Sequence, residues 1–219
     1  MQSTHSRPAA LLACEVLEAE LEHFREGLEH IRQVDYLEES LHLRPATLRE
    51  ALQTRIDAFE TRSETVEVIV LAYGLCGNGT EGIQARSIPV VIPRIHDCIT
   101  LYLGSRERYE SSLREHPGRY WYTPGWNRSR QAPGPDRPDY LRRLYADRHD
   151  EETIEELIEM DAEQYRHYDT AAYVDVGAGN REAEMDYTRR CAACMGWRME
   201  TVKGDPGFFH ALLQGPWDS

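Results

Sequence analysis

The chain has 219 residues, 41% of them hydrophobic and 29% charged, enough to bury a substantial core as one domain. A net charge of −13 and a pI near 5.1 argue against nucleic acid and against an anionic membrane face, both of which need a concentrated basic surface. No run approaches the ~20 apolar residues of a membrane span, and the start is polar, without the apolar core of a signal peptide. Five cysteines, an odd number, with no export signal imply reduced thiols and a cytoplasmic protein.

Met1 to Pro8 reads as a disordered tail. Ala9 to Leu12 predicts a first strand, and Val16 to Ile31 an amphipathic helix with charged outer faces. Val34 to Glu38 reads as a short second strand. Thr47 and Glu50 have capping-box spacing, and Leu48, Leu52, Ile56 and Phe59 then fall on one helix face. Val66 to Tyr73 is β-branched and nearly continuous in apolar character, which predicts a central strand. A glycine-rich turn leads to another strand at Ile88 to Ile92. Asp97 is placed to cap a helix through Leu103, and Tyr109 with Leu113 marks a further helix before Gly118.

Tyr120 to Thr123 reads as a short aromatic strand. The stretch 123–138 is rich in Pro, Gly, Arg and Asn, which predicts a long loop and a candidate lid. Asp150 caps an acidic helix through about Tyr168, and Ala171 to Val176 gives a strand. Asn180 caps the next helix, Trp197 to Val202 is a last strand, and Asp205-Pro206 opens a closing helix. This alternation predicts an α/β fold: a mostly parallel, Rossmann-like sheet with helices on both faces, in a single domain.

Thiols mark the strand ends. Cys14 follows the first apolar run, Cys76 follows the best strand, and His96-Asp97-Cys98 follows the next one. Ligands in open α/β sheets bind at the carboxyl ends of the strands. Cys14, Cys76, Cys98 and His96 are therefore candidate metal ligands. Three thiolates would hold an iron–sulfur cluster with one iron open to substrate, and His96 as a fourth ligand would close a tetrahedral zinc site. The competing reading is that each cysteine is a small core hydrophobe.

Gly77, Gly79 and Gly82 match G-x-G-x-x-G after a strand, which makes Gly77 and Gly79 candidate cofactor-binding positions. The next strand leaves room for only about one helical turn, however, and Glu81 puts negative charge inside a phosphate cradle. A tight turn that lets backbone approach Cys76 accounts for the same glycines. Cys191 and Cys194 form a C-x-x-C, yet with Ala183 and Tyr187 they make the buried stripe of one helix. That spacing predicts a structural pair. Arg94, Arg106, Tyr120, Tyr122, Trp126 and Arg128 could bind an anionic or planar molecule, or form a solvated loop with aromatic anchors. Glu15 and Glu81 are acid–base candidates where they share the cleft.

At Ala13-Cys14-Glu15-Val16-Leu17, Tyr73-Gly74-Leu75-Cys76-Gly77 and Pro93-Arg94-Ile95-His96-Asp97-Cys98-Ile99 the sequence resembles a family described as domain of unknown function 1638. The likeness continues through Leu103 to Arg106, Tyr109, Tyr122 to Trp126, Gly196-Trp197 and Leu212 to Asp218. The resemblance implies a bacterial or archaeal cytoplasmic protein. Some members are encoded beside corrinoid-dependent methyltransferase systems, which implies one-carbon or metallocofactor chemistry. It carries over to Cys14, Cys76, His96, Asp97 and Cys98.

Two functions follow as expectations. The first is an enzyme with a cysteine-ligated metal centre, iron–sulfur or zinc, acting on a small anionic molecule. His96 would be the fourth ligand or the general acid–base, Arg94 would orient the substrate, and Asp97 would fix the imidazole or cap the following helix. A metal-free variant uses Cys76 or Cys98 as nucleophile with His96 as base. The second is a non-catalytic accessory protein that handles a metal or a corrinoid for a methyltransferase partner.

Overall fold

The computed structural model describes residues 7–62 and 65–217, so most of the expected N-terminal tail and Asp218 lie outside the described residues. The chain forms two compact units, residues 1–108 with 205–219 and residues 109–204. Each carries its own all-parallel sheet, in place of the single sheet expected from uniform strand–helix alternation.

The first unit holds strands β1 (Ala9–Cys14), β2 (Ile31–Leu37), β3 (Val68–Ala72) and β4 (Val90–Val91), in the order β2-β1-β3-β4. Every residue of β1 and of β3 is buried, which is why both read as unbroken apolar runs; interior parallel strands are covered on both faces. β2 lies on one side of β1 and β3 on the other. The topological switch point of this sheet therefore falls between β1 and β3, the position at whose carboxyl ends open α/β sheets bind their ligands.

Between β1 and β2 the expected long helix is shorter. A 3-10 turn (Glu15–Leu17) leads into α1 (Glu18–Phe24), and Gly27 at φ +77° then turns the chain so that Ile31 begins β2. Helix α2 (Pro45–Phe59) buries Leu48, Leu52, Ile56 and Phe59 as predicted. It starts two residues before Thr47, at Pro45, whose fixed φ suits the first helical position, so the capping box does not form. α3 (Ile99–Leu103) and α4 (Arg106–Glu115) follow β4. The closing helix α9 (Gly207–Gln214) returns to this unit and packs on α1, α3 and β3. Its Phe209 stacks on Phe24 and meets Tyr102 edge-on.

The second unit orders β5 (Arg119–Tyr122), β6 (Thr170–Asp175) and β7 (Arg198–Lys203) as β5-β6-β7. The stretch expected as a lid is instead packed structure. Thr123 accepts a hydrogen bond from the Trp126 amide and caps α5 (Pro124–Ser129), and α6 begins at Arg137 (Arg137–Tyr145). Pro124, Gly125, Asn127 and Ala132 are buried there. The signal was Thr-Pro, an N-cap followed by proline at the first helical position. Arg137 donates two hydrogen bonds of 2.5 Å to Asp161, tying α6 to α7 (Glu151–Glu163). Asp150 and Asn180 cap α7 and α8 (Arg181–Met195) as expected.

Candidate functional site

Three strand ends of the first unit deliver the three thiols. Cys14 is the last residue of β1, beside Leu37 of β2 and one position past the Ala13–Ala72 pair with β3. Cys76 lies four residues beyond β3, and its amide donates to the His96 carbonyl at 3.3 Å. Leu75 donates to Ile95 at 3.2 Å, so the chain after β3 and the chain after β4 run as a latched pair. Cys98 sits at the start of α3. The thiols therefore gather at the carboxyl edge, on both sides of the switch point.

They also feel one another. Burial first, and then Glu39, Cys76 and Glu15, push the Cys14 thiol up to about 12 against a backbone hydrogen bond from Val16. Burial pushes Cys76 up to about 11; a backbone hydrogen bond with Gly74 opposes the shift and Asp97 adds to it. Cys98 is held well above the usual thiol range, first by burial and then by Asp97, Cys76 and Cys14. No arginine or lysine figures among the groups acting on these thiols. At neutral pH all three are protonated, and the surround is acidic.

The edge also gathers two residues that sequence reasoning passed over. Tyr73, directly after β3, is 2% exposed, and its hydroxyl has no hydrogen-bond partner among the described residues. Leaving such a donor unsatisfied costs about 1–3 kcal/mol. Cys14, Cys76 and Glu15 all act on its ionisation. His42, in a 3-10 turn (Glu39–Leu43) after β2, stacks on the Tyr73 ring with centroids 5.8 Å apart. Its Nε2 is buried without a partner, and burial lowers its pKa, so the ring is neutral at pH 7. Glu39, 9% exposed, stands in the same turn, and its amide donates to Glu15 at 2.8 Å. The readable signal was a tyrosine closing a buried apolar run, since a buried phenol needs a partner for its polar tip.

Of the other expected site residues, Asp97 and Glu15 act on the thiols, while the side chains of the rest do not figure among the groups around them. His96 and Arg94 are exposed and do not figure among the groups acting on the thiols. Asp97 accepts from the Ile99 amide at 3.0 Å from one position before the helix, while the N-cap of α3 is Cys98 and its side chain makes no capping hydrogen bond. Residues 76–82 form turns, with no helix before β4, so the glycine pattern lacks the helix a dinucleotide fingerprint requires. Gly77 adopts φ +63°, while a Cβ on Gly79 would meet Leu48 at 2.5 Å: the glycines let this turn lie against α2. Cys76 and Asn78 are themselves left-handed, at φ 46° and 68°. Asparagine tolerates that conformation; for cysteine it is backbone strain, stored at a candidate site.

The aromatic candidates belong to the core of the second unit. Tyr122 is fully buried and donates to the Pro133 carbonyl at 2.6 Å, and Tyr120 packs among Tyr122, Tyr165, Tyr168 and Trp197 while accepting from Trp126 Nε1. Arg106, Arg128 and Glu81 are exposed. Cys191 and Cys194 both lie on α8, but the expected buried stripe is only half formed: Tyr187 and Cys191 are buried with Thr188 and Ala192, whereas Ala183 and Cys194 are exposed.

The raised thiol values set a pH dependence. Unfolded thiols ionise near pH 9, whereas Cys76 and Cys14 in the fold resist ionisation until about 11 and about 12. The unfolded state therefore binds fewer protons across that window, and stability is full below pH 9 and lost as pH rises through it. The urea midpoint of chelator-treated protein should fall from pH 9 to pH 11, and Cys14→Ala should blunt the fall. An identical slope in that variant would remove Cys14 from the account.

Neither a curated protein nor a solved structure matches the chain. A family model does match, over residues 36–213, a span that includes Tyr73, Cys76 and Cys98 and leaves Cys14 before it. The chain belongs to the family described as protein of unknown function DUF1638.

Proposed function

We propose that Cys14, Cys76 and Cys98 hold a soft metal centre, and that the protein is a metal-dependent enzyme acting on a small molecule at the carboxyl edge of its first sheet. The observation that carries this reading is the meeting of three mutually interacting thiols at the switch point, with carboxylates around them and no cation. A reactive nucleophile needs its thiol pKa lowered by a neighbouring cation or a helix N-terminus. Here every shift is upward, which speaks against the metal-free variant. A bound cation, by contrast, deprotonates a coordinating thiol outright.

The kind of centre stays open between two arrangements: three thiolates would hold an iron–sulfur cluster, and His96 as a fourth ligand would close a tetrahedral zinc site. Among the described residues no three His, Cys, Asp or Glu side chains are placed to hold a metal ion as the structure stands, so either centre requires the thiols to draw together on binding. The cluster is the arrangement that leaves a position for substrate. Such a cluster, held by three thiolates, supplies an open iron as Lewis acid. Cys14, Cys76 and Cys98 would hold it, Tyr73 and His42 would face it, and the acidic surround would turn anions away.

A second reading, a protein that hands a metal or corrinoid group to a partner, is favoured by one observation. Leu43, Leu75 and Ile92, the exposed large hydrophobics among the described residues of the first unit, follow the carboxyl ends of β2, β3 and β4. Anaerobic metal and acid-labile sulfide analysis of untagged protein tests the proposal. Iron with equimolar sulfide and broad visible absorbance is expected. Zinc in stoichiometric amount would replace the cluster by a closed site, and protein free of metal would overturn both.

A further inference from the structure

Open sheets end in edge strands, and an exposed, regular edge recruits another strand unless it is shortened, bulged or interrupted. Three of the four edges in this chain are blunted in that way. β2 bulges, with a register shift at its start, and β4 has two residues and follows Pro89. β5 has four residues between Gly118 and Thr123-Pro124. β7 is different: six residues without proline or glycine, in unbroken register with β6 from Arg198 to Lys203. The amides of Arg198 and Gly204 donate to the carbonyls of Asp169 and Asp175, so the even-numbered residues turn their backbone toward β6. The N–H and C=O groups of Met199 and Thr201 therefore point out of the edge, and β7 pairs with β6 alone among the described residues.

The side chains match a particular partner. Trp197 and Met199 pack on the core of the second unit yet are only half-buried, so that core is open along this edge. Arg198 is exposed and reaches Asp169 at 3.4 Å and Thr170 at 3.2 Å, while Glu200 is held by Arg119. We propose that β7 pairs antiparallel with β7 of a second copy of this chain across a two-fold axis, joining their two three-stranded sheets edge to edge. Opposite residues of an antiparallel pair share a face, and outward backbone must meet outward backbone, so the axis passes through a residue and not between two. Charge selects the residue. An axis at Glu200 sets two carboxylates opposite each other, and axes at Thr201 or Val202 form no ion pair. An axis at Met199 sets Arg198 opposite Glu200 of the second copy, twice by symmetry, with methionine against methionine and Trp197 against Thr201. Glu200 then lies between Arg119 of its own chain and Arg198 of the other, and the methionines close the open side of the core. This edge belongs to the second unit and the thiols to the first, so the dimer stands or falls apart from the metal reading.

Sedimentation velocity of the full chain under reducing conditions, over a concentration range of about a hundredfold reaching about 100 µM, tests the pairing. A species of twice the 25.3 kDa chain mass is expected, in reversible exchange with the monomer. Thr201→Pro removes one outward N–H and spares the bonds to β6, since proline is tolerated where an edge faces solvent. It should be monomeric at concentrations where wild type is dimeric. Arg198→Glu alters only an exposed side chain and sets carboxylate against carboxylate in the same register, so its dissociation constant should rise at least about tenfold. In hydrogen exchange the Met199 and Thr201 amides should be protected in the dimer and exchange freely on dilution. A chain that stays monomeric throughout overturns the proposal. A dimer that both substitutions leave intact does the same, as do Met199 and Thr201 amides that exchange alike at every concentration. Should Thr201→Pro not fold, Arg198→Glu and the exchange of the wild-type amides decide.

Discussion

On the proposed thiolate centre, Cys76→Ser should bind no metal and show no activity while keeping its fold. Cys76 stands between the other two thiols in the chain and acts on both of them. Its side chain is partly exposed, so the loss of one sulfur leaves no large cavity. Serine keeps the volume and the backbone hydrogen bond to His96 but offers a hydroxyl that a soft metal binds poorly. Changing a residue that only hydrogen-bonds to a metal ligand already costs about 10–100-fold in metal affinity, so removal of a direct ligand should exceed about a hundredfold. Iron and sulfide per chain should fall below a tenth of wild type, with the melting temperature of the metal-free forms within a few degrees.

The same three thiols make loading steeply dependent on pH. Each must give up a proton to bind, and each is protonated at neutral pH because its pKa stands well above the ordinary value. Below pH 9, apparent affinity should therefore rise with pH by up to about three powers of ten per unit, one for each thiol. Cys76→Ser that still binds metal at wild-type strength, or loading that ignores pH, would mean the sulfurs are core packing and nothing more.

Much of this site was legible because strand ends are legible. β1 and β3 are interior strands covered on both faces, so their sequences are unbroken apolar runs, and the cysteines that follow them fall at the carboxyl edge whatever the rest of the fold does. Tyr73 escaped notice for the same reason: it looks like the last apolar residue of its run, and only three dimensions show that its hydroxyl meets nothing. His42 sits in a 3-10 turn too short to carry a period. Sheet membership was illegible for another reason. Both halves alternate strand and helix in the same way, and nothing local says that β5 pairs with β6 and not with the first sheet. The stretch 123–138 misled through composition, since its Pro and Gly serve a helix start and close packing there. Gly134, for example, lies where a Cβ would meet the Cys191 sulfur at 2.5 Å.

Gly74→Ala should disturb the site more than any other single methyl group. Gly74 does not have a positive φ, so its requirement is one of space alone. A Cβ there would lie 2.9 Å from the His96 carbonyl oxygen and 3.1 Å from both the nitrogen and the Cα of Asp97. These are backbone atoms, held by the hydrogen bonds from Leu75 to Ile95 and from Cys76 to His96, and they cannot rotate away as a side chain would. The Gly74 carbonyl is also fixed, accepting from the buried Thr80 hydroxyl at 3.1 Å. Overpacking of this kind costs about 1–3 kcal/mol. Relief would come from parting the two loops, which separates Cys98 from Cys76 and breaks up the thiol group. The expected result is a lowered urea midpoint together with lost metal. Gly77→Ala is the control: its φ of +63° penalises alanine by about 1–2 kcal/mol, but nothing lies within 4 Å of the new methyl, so the thiols should stay together and metal should be retained. If Gly74→Ala binds metal as wild type does, the close approach of the two loops is not what assembles the site.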